Sequence, residues 1–221
     1  PVRVLNCKGS GSESDFIDGV NWLTSDYKAK GKPAVANMSL GLDSISEALD
    51  TAVQSAIKSG VVVVAAAGNA NTDACKYSPG RVSAALTVGA TGRSDVRAAF
   101  SNFGGCVDLF APGSGITSDW FTGDTAISDL SGSSMASPHV AGAAALYLAA
   151  NPGASPPEVA NALLAGTTAG KVFDPGAGSP NRQLYTGLIP AIPVDSTLPQ
   201  VALTAPAPGA TLSGRIKLSA E

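Results

Sequence analysis

The sequence predicts an α/β fold built on a mostly parallel sheet with helices packed on both faces. Strand-like and helical patterns alternate along the first half of the chain with short connections, the arrangement of right-handed βαβ units. Val61-Val62-Val63-Val64-Ala65-Ala66 is β-branched and unalternated, as expected of a parallel strand covered on both sides. Ser133 to Ala150 is apolar almost all round, which predicts a buried central helix.

Taken in order, Val2-Arg3-Val4-Leu5 reads as a short opening strand. After the turn Gly9-Ser10-Gly11-Ser12, Phe16, Val20, Leu23 and Tyr27 recur at helical spacing, giving an amphipathic helix to about Lys30. Pro33 introduces a strand from Ala34 to Leu40. Ser44-x-x-Glu47 has the form of a capping box, in which hydroxyl and carboxylate satisfy the free amides of a first helical turn. Ile45, Leu49, Val53 and Ile57 continue that helix, and Gly60 stops it. The valine strand follows, then Leu86-Thr87-Val88 and Val107-Asp108-Leu109-Phe110 as further strands. Ser155-Pro156-Pro157-Glu158 opens a last helix, with prolines tolerated in its first turn.

Past Leu188 the texture changes. Residues 188–200 form a Pro-rich linker around Ile189-Pro190-Ala191-Ile192-Pro193, and 201–221 read as two short strands, loosely similar to the opening of an immunoglobulin-like β module. The main domain is therefore expected over 1–187. Pro1 is neither an initiator Met nor part of a leader pattern, so the expectation is a piece of a longer protein, cut at both ends.

Composition excludes several classes. A net charge of −3, with 14 Lys+Arg against 17 Asp+Glu, argues against nucleic acid, which needs a basic stripe. At 44% hydrophobic and 14% charged residues, the chain can bury a sizeable core. The longest apolar run, Val140 to Ala150, falls far short of the ~20 residues that cross a bilayer. With three cysteines, no Cys-x-x-Cys pair and one histidine, a Cys/His zinc site is not expected. Cys75 and Cys106 lie 31 residues apart in surroundings that suit a surface bridge, with two buried thiols as the alternative. Cys7 is left free, or paired outside the chain.

Two segments carry chemistry. In Ser131-Gly132-Ser133-Ser134-Met135-Ala136-Ser137-Pro138-His139, Ser134 sits at a helix start, where free backbone amides and the positive dipole end can stabilise an oxyanion. Pro138 forfeits the bond to the carbonyl of Ser134, at little cost so near the helix start. His139 invites pairing with Ser134, but residues five apart on a helix point about 140° apart and lie ~7.5 Å apart along the axis. A general base must come within ~2.6–3.2 Å, so His139 is assigned to packing with one satisfied ring hydrogen bond. Ala65-Ala66-Ala67-Gly68-Asn69 closes the valine strand at its carboxyl end, where ligands of open α/β sheets bind. Its small residues admit a substrate backbone, and Asn69 carries a suitable amide donor.

These residues, together with Val35-Ala36-Asn37-Met38-Ser39-Leu40-Gly41, Tyr77-Ser78-Pro79 and Phe100-Ser101-Asn102-Phe103-Gly104, resemble the subtilisin-like serine protease family over about residues 2 to 187. The likeness is strongest to its secreted, proteinase K-like bacterial branch. The resemblance implies a three-layer subtilisin-like fold and a secreted serine endopeptidase acting on polypeptides, a monomer released from its own N-terminal pro-segment. It implies Ser134 as nucleophile, and the Asn69 amide with the Ser134 N–H as oxyanion hole. Ser39-Leu40-Gly41 would pair with the extended substrate, and Ala66, Ala67 and Gly68 would line the pocket for the residue before the scissile bond. No cofactor is implied for catalysis. It implies a Cys75–Cys106 disulfide, and a structural calcium at Asp108 with the carbonyls of Pro79 and Arg81.

Three departures stand out. Ser133 replaces the usual Thr, with little effect expected, and Leu42-Asp43 replaces glycines beyond the substrate strand. The triad order of this fold is Asp, His, Ser, which puts the first two ahead of Val2. The expectation is that these 221 residues alone are inactive. Two other readings stand beside this one: a non-catalytic relative that keeps the cleft for peptide binding or structure, and an α/β-hydrolase. The latter needs Gly-x-Ser-x-Gly and a later His, and neither is present.

Overall fold

The computed structural model describes residues 1–187 and 189, within a compact unit spanning Pro1–Pro190. The linker and β module expected over 188–200 and 201–221 lie outside the described residues, residue 189 excepted. Helix α1 (Glu13–Lys30) starts from Ser12, which exchanges bonds with Asp15 in a capping box, and ends at Gly31 in the left-handed conformation. Strand β1 (Val35–Met38) follows, then α2 (Glu47–Lys58) and β2 (Val62–Ala66). Strands β3 (Leu86–Thr91) and β4 (Leu109–Pro112) complete the central sheet. A hairpin of β5 (Ile116–Asp119) and β6 (Ile127–Leu130) leads into α3 (Ser133–Ala150) and α4 (Pro156–Ala165). Two-residue strands β7 (Thr168–Ala169) and β8 (Arg182–Gln183) close the unit.

The sheet runs β1-β2-β3-β4-β8-β7, parallel throughout except at the β7–β8 pair. The valine strand sorts its side chains by parity, as a pleated strand must. Val62 and Val64 join Val88, Leu109, Val140, Ala144 and Val159 on the α3/α4 side. Val61 and Val63 join Phe16, Leu49, Val53 and Ile57 beneath α1 and α2. The result is helix, sheet, helix: the expected three-layer α/β architecture. Val61 to Val64 are at most 3% exposed, and each such valine contributes roughly 1.5–3 kcal/mol.

Several elements differ from the sequence expectation. Val2-Arg3-Val4-Leu5 forms no strand. The segment instead lays its side chains on α1, where a Cβ at Gly19 would meet Val4 Cγ1 at 2.4 Å. The cap of α2 is Ser46, whose hydroxyl accepts from the Leu49 N–H at 3.0 Å and donates to Glu13. Ser44 lends its carbonyl to the Ser78 N–H, Ile45 is half exposed, and Glu47 reaches Arg81 instead of closing a box. The hairpin β5–β6 and the short β7 and β8 had no counterpart in the sequence reading, since the hairpin buries almost nothing and β7 and β8 are two residues each.

Candidate active site

β1 and β2 end side by side, and the N-terminus of α3 faces their carboxyl ends. The turn after β2 is held from behind by Asn102, which is fully buried. Its Oδ1 accepts from the amides of Ala70 (2.9 Å) and Thr72 (3.1 Å), while Nδ2 donates to the Ala67 carbonyl at 2.8 Å. Gly68 makes this packing feasible: its φ is +99°, and a Cβ there would sit 2.4 Å from Asn102 Nδ2. From the other side Ser133, also buried, clasps the same turn. Its N–H and hydroxyl donate to Asn69 Oδ1 at 2.8 and 3.0 Å, and its oxygen accepts from the Gly68 N–H at 3.0 Å. Two donors on Oδ1 settle the amide orientation and leave Nδ2 free to face the cleft. A Cβ at Gly132 would lie 3.4 Å from Asn69 Nδ2 and 3.6 Å from the Ser134 N, so the two nitrogens flank Gly132.

A cavity of about 290 Å³ opens there, lined by Leu40, Gly41, residues 66–69 and Ser134. Ser39 lies beside it: its hydroxyl donates to the Ser134 carbonyl at 2.7 Å and accepts from Asn37 Nδ2 at 2.9 Å. Asn37 Oδ1 in turn accepts from the Ser137 hydroxyl at 2.6 Å. The sequence-predicted nucleophile, amide donor, substrate strand and pocket wall are therefore brought together. A larger, mostly apolar cavity of about 450 Å³ lies between α1 and β1 and includes neither Ser134 nor Asn69. Asn102, Asn37 and Ser137 carry no role in the sequence reading; each acts through a partner at least 30 residues away.

His139 is exposed, with Nδ1 2.8 Å from the Met135 carbonyl. The expected ring hydrogen bond is present, but the expected packing is not, because position 139 falls on the outer face of α3. It is the only histidine in the sequence.

The residues expected around calcium lie near one another. Thr87 donates its N–H to Asp108 Oδ2 at 2.7 Å and its hydroxyl to the Gly80 carbonyl at 2.9 Å, tying the 79–81 turn to Asp108. Burial raises the Asp108 carboxyl to about 6, against the Thr87 bond and the Arg182 charge, which lower it. Calcium takes carboxylate and carbonyl oxygens, and the Asp108 carboxylate, joined through Thr87 to the carbonyl-bearing 79–81 turn, is a donor of that kind. The Arg81 side chain points elsewhere, to Glu47 (2.8 Å) and the buried Asp50 (3.1 Å), and the Pro79 carbonyl also accepts from the Val82 N–H at 2.9 Å. Among the described residues, no three His, Cys, Asp or Glu side chains group as a metal site.

Cys75 and Cys106 are disulfide-bonded, with Cα atoms 5.2 Å apart, and Cys7 is exposed and free. No helix among the described residues is long and apolar enough to cross a membrane.

A doubly covered parallel sheet, with a serine at a helix start facing an asparagine at a strand end, is the architecture of a subtilisin-like protein. The chain belongs to the subtilase family, whose model matches residues 1–184. It is 59% identical to an extracellular serine proteinase of Thermus sp. (strain Rt41A) over 84% of this chain and 44% of that protein. It is 54% identical to alkaline serine exoprotease A of Vibrio alginolyticus over 84% of this chain and 33% of that one. A cold-adapted subtilisin-like serine proteinase of known crystal structure superposes with a TM-score of 0.79 at 51% identity, covering 83% of this chain and 65% of its own. The chain thus spans less than half the length of these two sequence relatives.

Proposed function

We propose that the chain, over residues 1–187, is the serine-bearing part of a secreted endopeptidase that cleaves extended polypeptides. The observation that carries this reading is that Asn69 and Ser134 line one 290 Å³ cavity, with Asn69 Nδ2 and the Ser134 N both beside Gly132 and the Asn69 amide oriented by Ser133. Ser134 Oγ attacks the scissile carbonyl and forms an acyl-enzyme. The developing oxyanion is met by Asn69 Nδ2 and the Ser134 N–H, aided by the positive end of α3. Ser39, Leu40 and Gly41 hold the substrate backbone as an added strand, and Ala66, Ala67 and Gly68 shape the pocket for the residue before the cut.

The proton of Ser134 needs an acceptor. His139, the only imidazole in the sequence, is engaged at the Met135 carbonyl on the outer face of α3. We assign the base to a histidine outside these 221 residues, and the chain order Asp, His, Ser of this family assigns its orienting carboxylate there too. Loss of the base alone costs about 10⁶ in kcat in subtilisin, so these residues by themselves are effectively inactive. The extracellular naming of the Thermus relative and the disulfide support a secreted setting. We place a structural calcium at Asp108 and the carbonyls of Pro79 and Arg81, where it would neutralise a partly buried carboxylate. A monomer matured from its own pro-segment completes the reading.

The test is Ser134→Ala in the full-length protein. It should abolish peptide hydrolysis and labelling by a fluorophosphonate, and retained turnover would overturn the assignment.

A further inference from the structure

In α3 the carbonyl of residue i accepts from the amide of residue i+4. For Ser134 that partner is Pro138, which lies inside the helix and has no N–H to give. The Ser134 carbonyl is nonetheless bonded: the Ser39 hydroxyl, from the end of β1, donates to it at 2.7 Å. The donor is itself oriented. Ser39 Oγ accepts from Asn37 Nδ2 at 2.9 Å, so its hydrogen is turned towards Ser134. Asn37 Oδ1 accepts from the fully buried Ser137 hydroxyl at 2.6 Å. The circuit starts and ends on α3, and every proton in it runs one way, from Ser137 to Asn37 to Ser39 to the Ser134 carbonyl.

We propose that the Ser39 hydroxyl substitutes for the amide missing at Pro138 and thereby fixes the backbone of Ser134, making Ser39 a positioning residue for the nucleophile as well as part of the substrate strand. The proposal rests on Ser134 being the nucleophile. Its backbone atoms pair with the peptide while its side chain holds the attacking residue, so the two reaction partners are registered against one residue.

The test is a double-mutant cycle in the full-length protein with Ser39→Ala, Pro138→Ala and both together, plus Ser39→Thr. Ser39→Ala should slow kcat and fluorophosphonate labelling about tenfold, the effect of one hydrogen bond, with KM nearly unchanged. Ser39→Thr keeps the hydroxyl and should restore the rate. In the Pro138→Ala background the helix regains its own amide, so the loss from Ser39→Ala should fall to about twofold or less. Equal losses in both backgrounds, or a rise in KM with kcat unchanged, would overturn the proposal. The urea midpoint, read without substrate, should show the same coupling. If Ser134→Ala still turned over peptide, the assignment of Ser134 as nucleophile would fall, while the midpoint cycle would still decide whether Ser39 fixes the Ser134 backbone.

Discussion

Replacing Asn69 tests the oxyanion assignment most directly, because the structure separates the two ends of its amide. Oδ1 is structural, accepting the Ser133 N–H and hydroxyl at 2.8 and 3.0 Å, whereas Nδ2 borders the cleft. Asn69→Ala removes both functions. Loss of one such donor costs ~10²–10³ in kcat, about 2.7–4 kcal/mol, a magnitude set by subtilisin itself. Ser133 is fully buried, so its stranded N–H should also cost about 1–3 kcal/mol of stability. Asn69→Asp keeps the acceptor, removes the donor and sets a negative charge where the oxyanion would form. It should lose at least as much activity as the alanine variant while retaining the wild-type urea midpoint. Steady-state kinetics on a chromogenic peptide and urea unfolding, both in the full-length protein, read the two effects separately. Near-normal kcat in Asn69→Asp, or an effect confined to KM, would refute the oxyanion role.

Opening the Cys75–Cys106 bridge with paired serines should lower stability by roughly 3–4 kcal/mol on the chain-entropy account of a loop this long, measured by denaturant unfolding. An unchanged midpoint would show that the bridge constrains nothing. Asp108 gives a pH signature in chelator. Its carboxyl is raised to about 6 from the ordinary 3.8, so the folded state holds the proton more tightly and stability falls as pH climbs through that window. Relative to Asp108→Asn, the wild type should lose about 2 kcal/mol between pH 4 and 6, out of about 3 over the whole titration. Calcium should restore the wild type and leave the variant unmoved; an equal response of both to calcium would remove Asp108 from the site.

What the sequence exposes is whatever depends on local pattern. The valine strand and the apolar helix from Ser133 to Ala150 are legible because burial on both faces leaves an unbroken apolar run, and the helix to Lys30 because burial on one stripe leaves a helical period. Ser134 and Asn69 could be picked out as chemistry at a helix start and a strand end. The supporting cast could not. Asn102, Ser137 and Asn37 act across long stretches of chain, and nothing local marks a buried amide that will stitch a distant turn. The cap at Ser46 is hidden for a related reason: the local capping-box pattern favours Ser44-x-x-Glu47, and only the tertiary bonds to Glu13 and Arg81 override it. Val2 to Leu5 illustrates the converse, a strand-like composition diverted to packing on α1.

The turn that carries Asn69 is stitched from behind by Asn102 and from the side by Ser133, with hardly a polar atom left to renegotiate. A loop so constrained does not bend to meet its guest. A peptide carbonyl arriving an ångström out of place finds no accommodating movement, and such an offset can cost about a hundredfold in rate. On the proposed reading, part of the discrimination among substrates would then fall on how readily each one's own backbone adopts the extended shape that such a rim demands.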